Sequence, residues 1–273
     1  MSRAFLAAIA LMVSTVSNAG TLRDELTQVA RERVYFGHQS VGANVLEGLR
    51  DLSAAEGVPL AITEVPRAAS LRGPGVGHLF VPENGDPLRK LASFKQALGE
   101  GSHADVALVK FCYVDIDADT DMRALFDAYR KTIDELRAKN PRTTFIHVTL
   151  PLTTEQTGPK AWVKRLLGRA PSGTLQNVKR DQYNTLLRRT YAGREPIFDL
   201  ARVESIGADG AQASVQWKGV EAPALVAAYT DDGGHLNREG RRRAAEELVR
   251  VLAASRRPLQ KFEDSATPVR LPR

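Results

Sequence analysis

"RVYFGHQSVG", residues 33–42, sets Val34, Tyr35 and Phe36 ahead of Gly-His-Gln-Ser and a second glycine. A short apolar run that ends in small and polar residues predicts a strand turning abruptly into a helix. Such a turn lifts Ser40 to the top of a sheet. Ser40 is then either a nucleophile or only the N-cap of the following helix.

Working outward from this turn, strand-like and helix-like segments alternate. After the strand at 33–37, further strands are expected at 59–65, 104–114, 143–150 and 196–200. Helical spacing marks about 41–55, 88–98, 120–140, 174–192 and 238–254. Strict alternation implies right-handed βαβ units and a central parallel five-stranded sheet with helices on both faces. Two long loops, Pro66–Pro87 and Pro151–Gly173, leave strand C-termini, where a parallel sheet builds its ligand crevice. Ser40 and the residues after Lys110 leave strands at the same end.

"MSRAFLAAIALMVSTVSNAG" carries one early cation, Arg3, a short apolar run and small residues at 17 and 19. That is a secretory leader with cleavage near Gly20, and the polar "STVSN" follows too soon for a retained anchor. The expected organisation is a leader at 1–19, one α/β domain at 20–255 and a disordered polar tail at 256–273. Localisation is periplasmic or secreted, and no transmembrane segment is expected in the mature chain. The single cysteine, Cys112, forms no internal disulfide and reads as a buried packing residue. The formal net charge is +6, one unit of it from Arg3 in the leader. The excess favours anionic surfaces or acidic polymers. Nucleic acid is not an expected partner, because the cluster Arg241–Arg243 is followed by Glu246 and Glu247 and lacks interleaved aromatics.

Near the C-terminus stands "YTDDGGHLNREG" (229–240), with Asp232 and His235 three residues apart on a glycine turn before a helix capped by Asn237. A carboxylate that accepts the Nδ1 proton fixes the imidazole tautomer and leaves Nε2 to take a proton from a hydroxyl. Asp231 is the rival carboxylate. The nucleophile elbow G-x-S-x-G does not fit "GHQSVG", because the interval from Gly37 to Ser40 is one residue too long.

A serine after the first strand and Asp-x-x-His before the last helix resemble the SGNH, or GDSL-like, hydrolase superfamily over about 34–252. The resemblance implies a three-layer flavodoxin-like fold, Ser40 as nucleophile, His235 as general base and Asp232 as its orienting partner. It also exposes departures. His38-Gln39-Ser40 stand where the family writes Gly-Asp-Ser. Cys112, Val114 and Asp115 stand where it writes Gly, Asn and Asp, and valine cannot donate to an oxyanion. Lys110, a cation in an apolar strand, is the expected substitute for that donor, or else the ion-pair partner of Asp115. In the family a glycine N–H after the second strand also donates. The candidates are Gly75, Gly77 and Gly85, with Asn84 in the same loop either a side-chain donor or a turn residue, and His38 either binds substrate or caps the turn. His147 and Thr149 read as structural, and His78 and His103 have no partner spacing. Scattered histidines with one cysteine make no metal site, so neither metal nor cofactor is expected.

These readings give an exported serine esterase acting on a small-molecule or polysaccharide ester, with O-acetyl or short acyl groups on carbohydrate implied by resemblance. No hydrophobic lid helix is evident, which argues against long-chain lipids. The alternatives are an acyltransferase using the same site and a non-catalytic carbohydrate- or partner-binding domain on a degenerate scaffold.

Overall fold

A computed structural model describes residues 21–256. The expected leader lies outside the described residues, as does the expected tail from residue 257 on. The chain opens with α1 (Leu22–Val29), held by a capping box between Thr21 and Asp24. It continues through β1 (Arg33–His38), α2 (Val41–Glu56), β2 (Ile62–Glu64), β3 (Gly75–Phe80), α3 (Pro87–Leu98) and β4 (Val106–Val109). Then follow α4 (Met122–Lys139), β5 (Thr144–Val148), α5 (Pro159–Leu166), α6 (Thr174–Tyr191), β6 (Ile197–Phe198) and α7 (Leu200–Ser205). A hairpin, β7 (Ser214–Trp217) and β8 (Val220–Pro223), precedes α8 (Arg238–Ser255).

The central sheet runs β2-β3-β1-β4-β5-β6 with every pairing parallel. It has six strands, not five. The additional one, β3, lies inside the stretch 66–87 expected as a loop. Its glycines signalled a turn, yet Gly77 sits opposite Tyr35 in mid-strand, and a Cβ there would collide with Leu71 and Val65. The glycine serves close approach within a strand.

Side chains of β1 alternate between two cores. Val34 and Phe36 join Val45, Leu49, Leu248 and Val249 beneath α2 and α8. Tyr35 faces the other way, into Phe94, Tyr129 and Tyr183 beneath α3, α4 and α6. The sheet is thereby covered on both faces, as the near-continuously apolar β4 requires. The chain leaves β1 toward one side of the sheet and β4 continues on the other, so the strand order reverses between them. Open α/β sheets bind ligands outside the strand C-termini at this reversal. Ser40 follows β1 and Cys112-Tyr113 follow β4.

Candidate active site

Ser40 stands at the N-cap position of α2: its carbonyl accepts Asn44 N–H at 3.1 Å, but its hydroxyl makes no capping bond. The hydroxyl instead meets Cys112 Sγ at 3.5 Å, and the Ser40 N–H has no partner among the described residues. The cap role does not consume this side chain.

The Asp232–His235 pair forms within its own turn. His235 Nδ1 and Asp232 Oδ2 are 2.6 Å apart. Asp232 Oδ1 accepts the N–H groups of Gly234 (2.9 Å) and His235 (2.8 Å), so one carboxylate orients both the loop and the ring. The hydrogen bond to the His235 ring, helped by the two backbone donors, holds the Asp232 carboxyl well below the usual range. Asp231 is turned away and accepts from Asn237 Nδ2 at 3.3 Å.

The two halves converge from opposite ends of the chain. Leu236 N donates to Asn44 Oδ1 at 3.1 Å, tying the histidine turn to the first turn of α2. Tyr113, next to Cys112, places its hydroxyl 3.4 Å from His235 Nε2 and 3.5 Å from Nδ1. A side chain at Gly234 would put its Cβ 2.7 Å from that ring, so glycine is what lets Tyr113 lie across the turn. No direct Ser40–His235 hydrogen bond is formed among the described residues. Cys112 meets the Ser40 hydroxyl, and Tyr113 meets the His235 ring.

Lys110 takes neither expected role. It is fully buried, its Nζ donates to Phe111 O at 2.8 Å, and burial pushes its pKa down. Lys90 on α3 is the partner of Asp115, at 2.6 and 2.7 Å, with both side chains fully buried. Asp115 also accepts Gly85 N–H (2.8 Å) and Cys112 N–H (2.6 Å), which commits the Gly85 donor elsewhere. Asn84 is exposed, and its Oδ1 accepts from Lys90 at 2.9 Å. Gly77 is excluded from an oxyanion role because it is paired inside β3.

His38 does not reach the crevice. It is fully buried between the rings of Phe36 and Phe80, with Nε2 3.1 Å from Nδ1 of His78. The partner that spacing did not reveal lies on the adjacent strand. Burial, reinforced by His78, pushes the His38 pKa down to about 3, and burial lowers His78 as well. Between about pH 3 and 6.5 the unfolded chain therefore binds a proton at this ring that the folded chain refuses, so stability falls as pH drops through that window. The loss attributable to His38 is of order 4 kcal/mol at the acid end. Urea midpoints of wild type and His38→Phe, measured from pH 7 to pH 4, are expected to converge as the variant loses this slope. Parallel slopes would refute the assignment.

One supporting residue had no sequence signal. Arg180, buried in α6, donates to Tyr113 O (2.9 Å), Thr153 Oγ1 (2.9 Å) and Asn177 Oδ1 (2.6 Å), fixing the backbone under Tyr113. Burial lowers its pKa to about 10, so it remains a cation at neutral pH. His147 is locked between Tyr129 Oη (2.8 Å) and Glu195 Oε2 (3.0 Å), away from this cluster.

A parallel sheet with a serine beyond its first strand and an Asp-x-x-His turn before its last helix is the arrangement that the sequence resemblance to SGNH, or GDSL-like, hydrolases implies. No family model and no curated protein matches the sequence. Among solved structures, the chain is similar to a provisionally named platelet activating factor from Streptococcus pneumonia, at 13% identity, 85% of this chain and 91% of the other covered, and a TM-score of 0.49. It is similar to a provisionally assigned lipolytic protein of the G-D-S-L family from Desulfitobacterium hafniense, at 9% identity, 81% and 99% coverage and a TM-score of 0.45. An acetyl esterase with an acetate ion matches at 15% identity, 82% and 99% coverage and a TM-score of 0.45.

Proposed function

We propose that this protein is a serine esterase that cleaves a carboxylic ester through an acyl-Ser40 intermediate. The observation that carries the reading is the convergence of an oriented Asp232–His235 pair with a serine hydroxyl that no cap consumes. His235 Nε2 takes the Ser40 proton as Oγ attacks the carbonyl carbon. The ester C–O bond then breaks, and the alcohol departs with that proton. Water repeats the attack on the acyl-enzyme, which releases the acid and restores Ser40.

Two groups on this chain serve the developing oxyanion. The Ser40 N–H opens α2 and has no other partner. The Tyr113 hydroxyl, beside His235, takes the place of the missing asparagine donor. Tyr113→Phe is expected to lower kcat by roughly 10^2-fold with little change in KM, as loss of one oxyanion donor does. Unchanged kcat in a p-nitrophenyl acetate assay would remove Tyr113 from that role.

The substrate class proposed is a short acyl ester, with O-acetyl groups on carbohydrate first. The resemblance points there, and a pair as open to solvent as Asp232–His235 is reachable by a large acceptor. The decisive test is covalent labelling by a fluorophosphonate, expected for wild type and lost in Ser40→Ala. Acetate release from an acetylated polysaccharide without an added acceptor then identifies hydrolysis. Failure of wild type to label sinks the esterase reading.

A further inference from the structure

The segment 157–173 leaves the end of β5 and returns into α6 through a narrow neck. Gln156 N donates to Ser172 O at 2.9 Å, and Thr174 Oγ1 to Glu155 Oε1 at 2.5 Å. Lys164 Nζ closes the neck from above, reaching Gln156 Oε1 (2.7 Å) and Ser172 Oγ (2.9 Å). Beyond it stands α5, in the stretch expected as a loop.

Surface helices bury their apolar stripe against the core. Helix α5 does the reverse. Its buried residue is Ala161, whereas Trp162, Leu166 and the adjoining Leu167 are at least 65% exposed, and Val163 is exposed too. At about 100° per residue these four share one side of the helix, and Ala161 lies roughly opposite. Lys160 and Lys164 border the apolar side along one edge and Arg165 along the other. Arg169 follows, and no acidic residue occurs between 157 and 173. Lys160 and Arg169 have no ion-pair partner among the described residues.

We propose that α5 is an interfacial anchor that seats on an anionic lipid bilayer, with Trp162, Leu166 and Leu167 at the acyl boundary and Lys160 and Arg169 on lipid phosphates. An outward apolar wedge edged by cations, with an aromatic ring that suits the headgroup level, is the pattern such anchors present. A second copy is a poor occupant, since two-fold pairing would set Lys160 and Arg169 of one copy against the same cations of the other, whereas Arg165 is already paired with Glu155. The anchor also aims the crevice. Thr154, at the foot of the neck, donates to Gly233 O at 2.9 Å within the Asp232–His235 turn, so seating α5 holds the strand ends toward the lipid surface. The inference does not depend on Ser40 being a nucleophile, because the test reads association alone.

Trp162 is its own reporter once Trp217, the second tryptophan, is replaced by phenylalanine. With vesicles of phosphatidylcholine and phosphatidylglycerol carrying brominated acyl chains, the full chain with Trp217→Phe is expected to show blue-shifted, quenched emission. Pure phosphatidylcholine vesicles should leave the emission nearly unchanged, and 0.5 M salt should reverse most of the effect. Adding Lys160→Gln with Arg169→Gln should weaken association roughly thirtyfold. Adding Leu166→Glu with Leu167→Glu should abolish quenching with an unaltered circular dichroism spectrum. The proposal is overturned by unquenched emission on anionic vesicles, by equal binding to both vesicle types, or by quenching that survives the glutamates. It is equally overturned if those glutamates dissolve a dimer formed without lipid.

Discussion

Asp232→Asn is expected to cut kcat by roughly 10^4-fold while leaving the fold and KM nearly unchanged. The expectation follows from the two jobs of this carboxylate. Oδ1 holds the turn through Gly234 N and His235 N, and an asparagine oxygen would go on accepting both. Oδ2 accepts the Nδ1 proton of His235, and there an amide NH2 reverses the polarity of the bond. The ring then keeps its proton on Nε2 and loses the lone pair that the proposed mechanism uses to receive the Ser40 proton. Geometry survives and the base does not. His235→Ala should be at least as severe, roughly 10^4 to 10^6-fold, and combining it with Ser40→Ala should add little, because the pair acts as one unit. The carboxylate stays ionised well into the acid range, so protonation of Asp232 will not set the acid limb of the rate profile. Both side chains are about half exposed, so solvent screens their attraction and the hydrogen-bond direction carries the effect. Steady-state kinetics on p-nitrophenyl acetate decides it. An Asp232→Asn enzyme within tenfold of wild type would mean that the turn, not the carboxylate, matters.

Period and punctuation made most of the fold legible. The strand ahead of Ser40, the helices at 122–139, 174–191 and 238–255 and the parallel sheet follow from alternation, caps and apolar spacing. Strand β3 was hidden because Gly75 answers to Ala61 and Gly77 to Leu71 and Val65, contacts made by chain folding and not by local preference. Helix α5 was hidden for the opposite reason: its apolar side faces outward, so it joins no core-facing pattern. In the site, the Asp232–His235 contact is local and could be read from a spacing of three. The partnerships of His38 and Tyr113 could not, since each depends on which distant part of the chain folds against it. A lone lysine in an apolar strand announces a buried cation but not its partner. The acid that the sequence assigned to Lys110 went to Lys90, one helix away.

That exchange underlies the largest expected loss of stability. Lys90→Met should destabilise the protein by about 3–5 kcal/mol, the usual consequence of stranding a buried charge. Asp115 gathers four donor contacts: two from Lys90 Nζ, one from Gly85 N after β3 and one from Cys112 N after β4. Removing the ammonium leaves a carboxylate, fully buried, with two backbone donors and no hydrogen-bonded cation among the described residues. Such a group must either take up a proton or drag its loops toward water. Both responses disturb Cys112, whose Sγ meets the Ser40 hydroxyl, so the activity of any surviving folded protein should fall as well. Asp115→Asn in the Lys90→Met background removes the stranded charge and keeps an acceptor for one of the two loops. The double variant should therefore be more stable than Lys90→Met alone, a coupling of sign opposite to additivity. Urea denaturation of the two single variants and the double variant measures it. Simple additivity would show that Lys90 contributes packing and not charge, and that the loops beside Ser40 are held by their own backbone.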